Sequence, residues 1–129
     1  MSARNKYLVN TLRTLFGLFM LFSGVSGLWL AYTGSMEGMP EAMIPVVEGL
    51  KDNGIFYMIK ITEAVAGLML ALNLLPALGV IFLAPIAVGI IVFNSFVAPQ
   101  YVISGVIVAL LEIYFGYVYW AKYKALFTR

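Results

Sequence analysis

The chain contains no cysteine and no histidine, and only 11% of its 129 residues are charged. The first absence excludes disulfides, thiol redox shuttling and iron–sulfur clusters. The second excludes histidine-ligated haem, and together they remove the usual zinc sites. Any electron transfer that involves the chain must therefore run through a bound organic cofactor or a partner protein. The scarcity of charge, against about 25% in an ordinary soluble domain, leaves too little polar surface to cover a water-soluble fold. What is present instead is apolar, with 63% hydrophobic residues and a mean hydropathy of +0.98. Such a composition describes an integral membrane protein, residues 1–129 forming a single domain with lipid as the solvent for most of it. The net charge of +2 is too small to point to nucleic acid.

A helix needs about 20 mainly apolar residues to cross a hydrocarbon core, and four segments qualify, at about 7–32, 55–75, 77–97 and 101–121. The expected fold class is all-α, an integral membrane four-helix bundle. Pro76 and the pair Ala98-Pro99 break the last three spans apart, with connections short enough only for antiparallel neighbours. Six of the eight basic residues lie near the chain ends, namely Arg4, Lys6, Arg13, Lys122, Lys124 and Arg129. The loop 33–54 has only Lys51 against Glu37, Glu41, Glu48 and Asp52. The positive-inside rule then puts both termini in the cytoplasm and this loop outside. Trp29, Tyr32, Phe56, Tyr57 and Tyr101 mark the outer interface, and Tyr7, Tyr119, Trp120 and Tyr123 the inner one. A basic start, an apolar run and the stretch "SGVSG" at 23–27 have the outline of a signal peptide, but the run exceeds a signal core and is read as a retained span. In the outer loop Met43, Val46, Val47 and Leu50 share a face, which predicts a short amphipathic helix on the outer surface, stopped at Gly54.

Charges inside the spans demand partners, because an ionisable group at the bilayer centre costs roughly 2.5 to 3.5 kcal/mol on insertion scales. Arg13, Gly17, Met20, Gly24 and Gly27 form one stripe of the first span, and Lys60, Ala64, Gly67 and Ala71 one stripe of the second with Glu63 beside it. Gly105, Ala109, Glu112 and Gly116 do the same in the fourth. Small residues let helices approach closely in lipid, so Gly17, Gly24, Gly27, Gly67, Gly105 and Gly116 are expected at helix contacts and the charges inside the bundle. From the rise per residue, Lys60 lies about 8 Å, Glu63 about 12 Å and Glu112 about 17 Å below the outer end, with Arg13 about 9 Å above the inner end. These levels predict the pairs Lys60–Glu63 and Arg13–Glu112, with Asn94 near Lys60, as one intramembrane polar cluster. Two readings stay open: ion pairs that fix helix register, or a pocket for the head of a lipid-like or quinone-like molecule or a proton relay. No catalytic residue and no metal ligand set is expected. The methionines and Tyr114, Tyr117 and Tyr119 read as packing and interfacial residues.

The stretches "LRTLFGLFMLFSGVSGL" (12–28), "MPEAMIPVVEGLKDNGIFYMIKITEAVAGLMLALN" (39–73), "LAPIAVGIIVFNSFVAP" (83–99) and "LEIYFGYVYWAKYKALF" (111–127) together resemble the DoxX family of small bacterial four-helix membrane proteins. The most specific parts are Arg13, the pattern of Lys60, Glu63 and Gly67, the "LAP" of the third span, and Glu112. Asn94 stands where that family commonly has a histidine. The resemblance implies a bacterial inner-membrane protein of the kind described as accessory partners of redox enzymes, and it does not imply a catalytic activity; the expected role is an accessory or anchoring subunit of a membrane oxidoreductase or another membrane assembly. No cofactor is expected, and a quinone enters only with the alternative reading of the polar cluster. The expected partners are the bilayer and either other membrane subunits or further copies of the chain.

Overall fold

In the computed structural model residues 3–128 are described, and among them every regular element is helical. Helix α1 (Ala3–Thr33) has 31 residues. At 1.5 Å per residue that is roughly 46 Å, more than a hydrocarbon core requires. No proline interrupts it, and it stops where Gly34 takes a left-handed φ of 70° and donates its N–H to Leu30 O at 2.8 Å. Helix α2 (Ile44–Asp52) carries Pro45 in its first turn, where the missing N–H costs nothing. Gly54, with φ 83°, then turns the chain so that α2 and helix α3 (Ile55–Ala71) meet at 91°.

Helix α3 ends four residues before the expected boundary at Leu75. Asn73 and Leu75 both adopt positive φ, 57° and 48°, and Pro76 opens helix α4 (Pro76–Val97) as its first residue. Pro85 lies inside α4 and leaves the helix continuous. A short 3₁₀ turn, Pro99–Tyr101, leads into helix α5 (Val102–Val118). Tyr119 breaks that helix before the short α6 (Trp120–Tyr123), so the fourth predicted span also ends early. Three stretches are long and apolar enough to cross a membrane: Asn5–Thr33, Pro76–Val97 and Pro99–Val118. With 17 residues, about 26 Å, α3 falls just short by itself. It counts as a fourth crossing only together with α2, across their bend.

Helix α1 packs along α3, α3 on α4, and α4 on α5. Phe16, Met20, Leu70, Leu83 and Phe115 fill the space between them, with the rings of Phe16 and Phe115 stacked at 6.0 Å. The amphipathic helix α2 forms as the pattern predicts, but its apolar face does not lie free on the outer surface. Val47 is buried against Ala31 and Phe56, and Leu50 packs beside them, so α2 closes one end of the helix group. Outward-facing side chains are apolar and exposed, including Phe22, Phe96, Ile103 and Ile113.

Candidate polar sites between the helices

The closest seam lies between α1 and α3. A Cβ added to Gly17 would collide with the backbone of Gly67 and Ala71, one on Gly24 with the backbone of Lys60 and Ala64, and one on Gly67 with the backbone of Gly17 and Leu21. Only glycine allows this approach, because the obstacle is main chain and cannot rotate away. Gly27 makes room for the aliphatic stem of Lys60 instead. Gly105 packs against Ile90 and Ile91 of α4. Gly116, expected at a contact, is not at one: nothing lies within 4 Å of its Cβ position.

On this seam sits a closed polar group. Lys60 Nζ donates to Glu63 Oε2 at 3.1 Å, and Ser23 Oγ donates to the same oxygen at 3.0 Å from α1. Lys60 Nζ also lies 3.5 Å from Ser23 Oγ and 5.7 Å from the Phe56 ring centroid. Glu63 is only 2% exposed. Burial of one carboxylate is thus offset by an ammonium from its own helix and a hydroxyl from the next. Ser23 was not singled out by the sequence, although its place beside Gly24 on the small-residue stripe is the signal that would have found it.

Arg13 lies at the opposite end of α3 and does not join this group. Its Nε donates to Leu70 O at 3.0 Å and its Nη1 to Asn10 Oδ1 at 2.7 Å. Leu70 is next to the last residue of α3, so the guanidinium meets a helix C-terminus, where the backbone dipole favours a cation. The expected Arg13–Glu112 ion pair is not formed, and the one ion pair among the described residues is Lys60–Glu63. Glu112 Oε1 is buried without a hydrogen-bond partner among the described residues. Near it the Tyr123 hydroxyl donates to Ala77 O at 2.5 Å. Burial pushes the Tyr123 phenol up to about 12, with the charge of Glu112 and then Tyr119 adding to the rise. The guanidinium of Arg13 neighbours Tyr119, so Arg13, Glu112 and the two tyrosines share one end of the helix group.

Asn94 belongs to neither set. It is 7% exposed and its Nδ2 donates to Tyr101 O at 3.2 Å, tying the end of α4 to the turn into α5. The five predicted polar residues therefore occupy three places: Lys60 and Glu63 on the α1–α3 seam, Arg13 and Glu112 at one end, and Asn94 at the other. No group of three or more metal-ligating side chains occurs among the described residues. Comparison of the chain with models of known families, with curated proteins and with solved structures finds no match in any of the three.

Proposed function

We propose that the chain is a DoxX-like integral membrane protein, a four-helix bundle of the bacterial inner membrane with both termini cytoplasmic. In this reading it serves as a non-catalytic accessory or anchoring subunit of a membrane oxidoreductase or other membrane assembly. One observation carries the choice. Glu63, the most buried charge, is closed off by Lys60 and Ser23 between two helices in glycine contact. A carboxylate held in this way fixes the mutual position of α1 and α3 and has no face turned to a substrate. The broad apolar exterior of α1, α4 and α5 supports insertion in lipid and contact with other membrane subunits. Native mass spectrometry of the gently extracted protein tests the reading, with a co-purifying membrane protein as the expected result. A catalytic turnover by the isolated chain would refute it.

A second reading is favoured by the free oxygen of Glu112. Tyr123 lies within its electrostatic reach, and an unpartnered buried acceptor at this end of the helix group suits the polar head of a quinone-like molecule or a proton relay. Glu112→Gln separates the two readings. The accessory role predicts a phenotype in proportion to protein abundance, and the ligand or relay role predicts loss at normal abundance, since an amide does not ionise.

A further inference from the structure

The two ends of the helix group treat their connecting segments in opposite ways. At one end α2 folds its apolar face inward onto Ala31 and Phe56 and leaves Glu41, Glu48 and Asp52 exposed. At the other, the turn from α3 to α4 and the segment after α5 hold apolar side chains outward. Leu72, Leu74 and Leu75 in the turn are 58 to 70% exposed, and Trp120, Leu126 and Phe127 after α5 are 51 to 76% exposed. Lipid accounts for exposed leucine on the flank of a span, but these six residues lie beyond the last helical residues Ala71 and Val118, where the spans have ended. Large apolar side chains gathered in this way mark a contact surface.

The segment after α5 is held in place. Tyr119 and Tyr123 pack against the core and the Tyr123 hydroxyl donates to Ala77 O in the first turn of α4, so the chain beyond Val118 lies folded beside the α3–α4 turn. The rings of Trp120 and Phe127 stack at 5.7 Å. Between them in sequence stand Lys122 and Lys124, both exposed, with Lys122 Nζ 5.8 Å from the Tyr119 ring centroid. Lys6, also exposed, lies about 10 Å of helix rise beyond Arg13 at the same end. No acidic side chain occurs in residues 1–36, 64–111 or 113–129, so this end offers cations and, apart from Glu112 inside its span, no carboxylate. Tryptophan and leucine interleaved with lysine suit the boundary between headgroups and acyl chains, where the rings enter the apolar side and the ammonium groups stay among phosphates. A protein cover would have to bury both lysines with the leucines, whereas lipid solvates the leucines and leaves the lysines wet.

We propose that residues 72–75 and 119–127 form an interfacial anchor that lies in the headgroup boundary and selects anionic phospholipid, with Trp120, Leu126 and Phe127 inserted and Lys122 and Lys124 facing lipid phosphates. The anchor rests on the membrane reading above, and it holds for either orientation of the termini and with or without an accessory role. Because Tyr123 ties this segment to the start of α4, the anchor also fixes the depth at which α3, with only 17 residues, turns into α4.

The chain has two tryptophans, Trp29 and Trp120, so Trp29→Phe in the full chain leaves Trp120 as the sole indole. In phosphatidylcholine vesicles its fluorescence should be quenched by brominated phosphatidylcholine and little by aqueous iodide. Brominated phosphatidylglycerol, as a minor fraction of the lipid, should quench it severalfold more than the same fraction of brominated phosphatidylcholine, since each lysine at an anionic surface is worth about fivefold. Lys122→Gln with Lys124→Gln should remove that excess and leave quenching by brominated phosphatidylcholine in place, which shows the segment still seated in lipid. Quenching by iodide alone would put the segment in water, quenching by neither agent would put it under protein, and either result overturns the proposal. So does equal quenching by the two brominated lipids, or an excess that survives the lysine substitutions. A chain that does not float with the vesicles would overturn the membrane reading as well, whereas a floating chain that gives any of these results overturns the anchor alone.

Discussion

Glu63 shows how one buried charge is made tolerable in lipid, and why removing either of its partners is costly. Lys60→Leu leaves the carboxylate with a single hydroxyl, and loss of one member of a buried pair costs roughly 3 to 5 kcal/mol. Lys60→Leu with Glu63→Leu removes both charges and should cost far less, so a double-mutant cycle in detergent should give a large favourable coupling. The same cycle for Arg13 and Glu112 should give a coupling under about 0.5 kcal/mol, because Arg13 is engaged by Leu70 O and Asn10 and forms no ion pair with Glu112. Similar couplings in the two cycles would contradict this assignment. The Lys60–Glu63 contact was legible in the sequence because an (i, i+3) spacing brings side chains together on any helix. The partner of Arg13 was not. Matching depths between spans placed it beside Glu112, but depth ignores the carbonyls that a neighbouring helix presents where it stops, such as Leu70 O, which accepts from both Asn73 N–H and Arg13.

Which carbonyl Arg13 meets depends on where α3 ends, which is a property of the element. Asn73 and Leu75 take left-handed conformations. Asparagine does so readily and leucine rarely, so nothing in the apolar run "LALNLLP" marks Ala71 as the last helical residue. Proline positions were more informative: Pro76 starts α4, and Pro99 lies in the turn before α5. The small-residue stripes located the α1–α3 seam correctly, since glycines seven residues apart in α1 face main chain of α3. They misled at Gly116 because a stripe identifies a face and not whether a neighbour covers it. Three substitutions isolate the seam. Gly17→Ala and Gly67→Ala each force α1 and α3 apart and should destabilise the protein by about 1 to 3 kcal/mol or more, the range for overpacking a fitted contact. Gly116→Ala has open space at its Cβ and should be neutral or slightly stabilising, as alanine is the better helix former. Thermal melting of the three variants in one detergent checks this, and comparable losses at all three positions would refute the seam.

At the scale of the whole molecule the sequence predicts what a membrane reads most directly, the distribution of charge along the chain. The basic residues of both ends and the acidic loop 33–54 set the expected orientation with both termini in the cytoplasm. The number of crossings is less plain, because the second span is a 17-residue helix joined at 91° to α2. If α3 crosses the membrane alone, Ser35 and the turn at Asn73 lie on opposite sides. If α2 and α3 together form a re-entrant segment, both lie on the same side and the chain crosses only three times. An odd number of crossings would then separate the two termini. The absence of any native cysteine makes the test clean, since each introduced thiol is the sole site of reaction. Ser35→Cys, Asn73→Cys and Thr128→Cys, treated in intact cells with an impermeant maleimide, should give labelling at position 35 and protection at positions 73 and 128. Labelling at 35 and 73 together would establish the re-entrant arrangement. Protection at 35 with labelling at 73 and 128 would keep four crossings and invert the orientation, which would mean that the acidic loop, and not the basic ends, faces the cytoplasm.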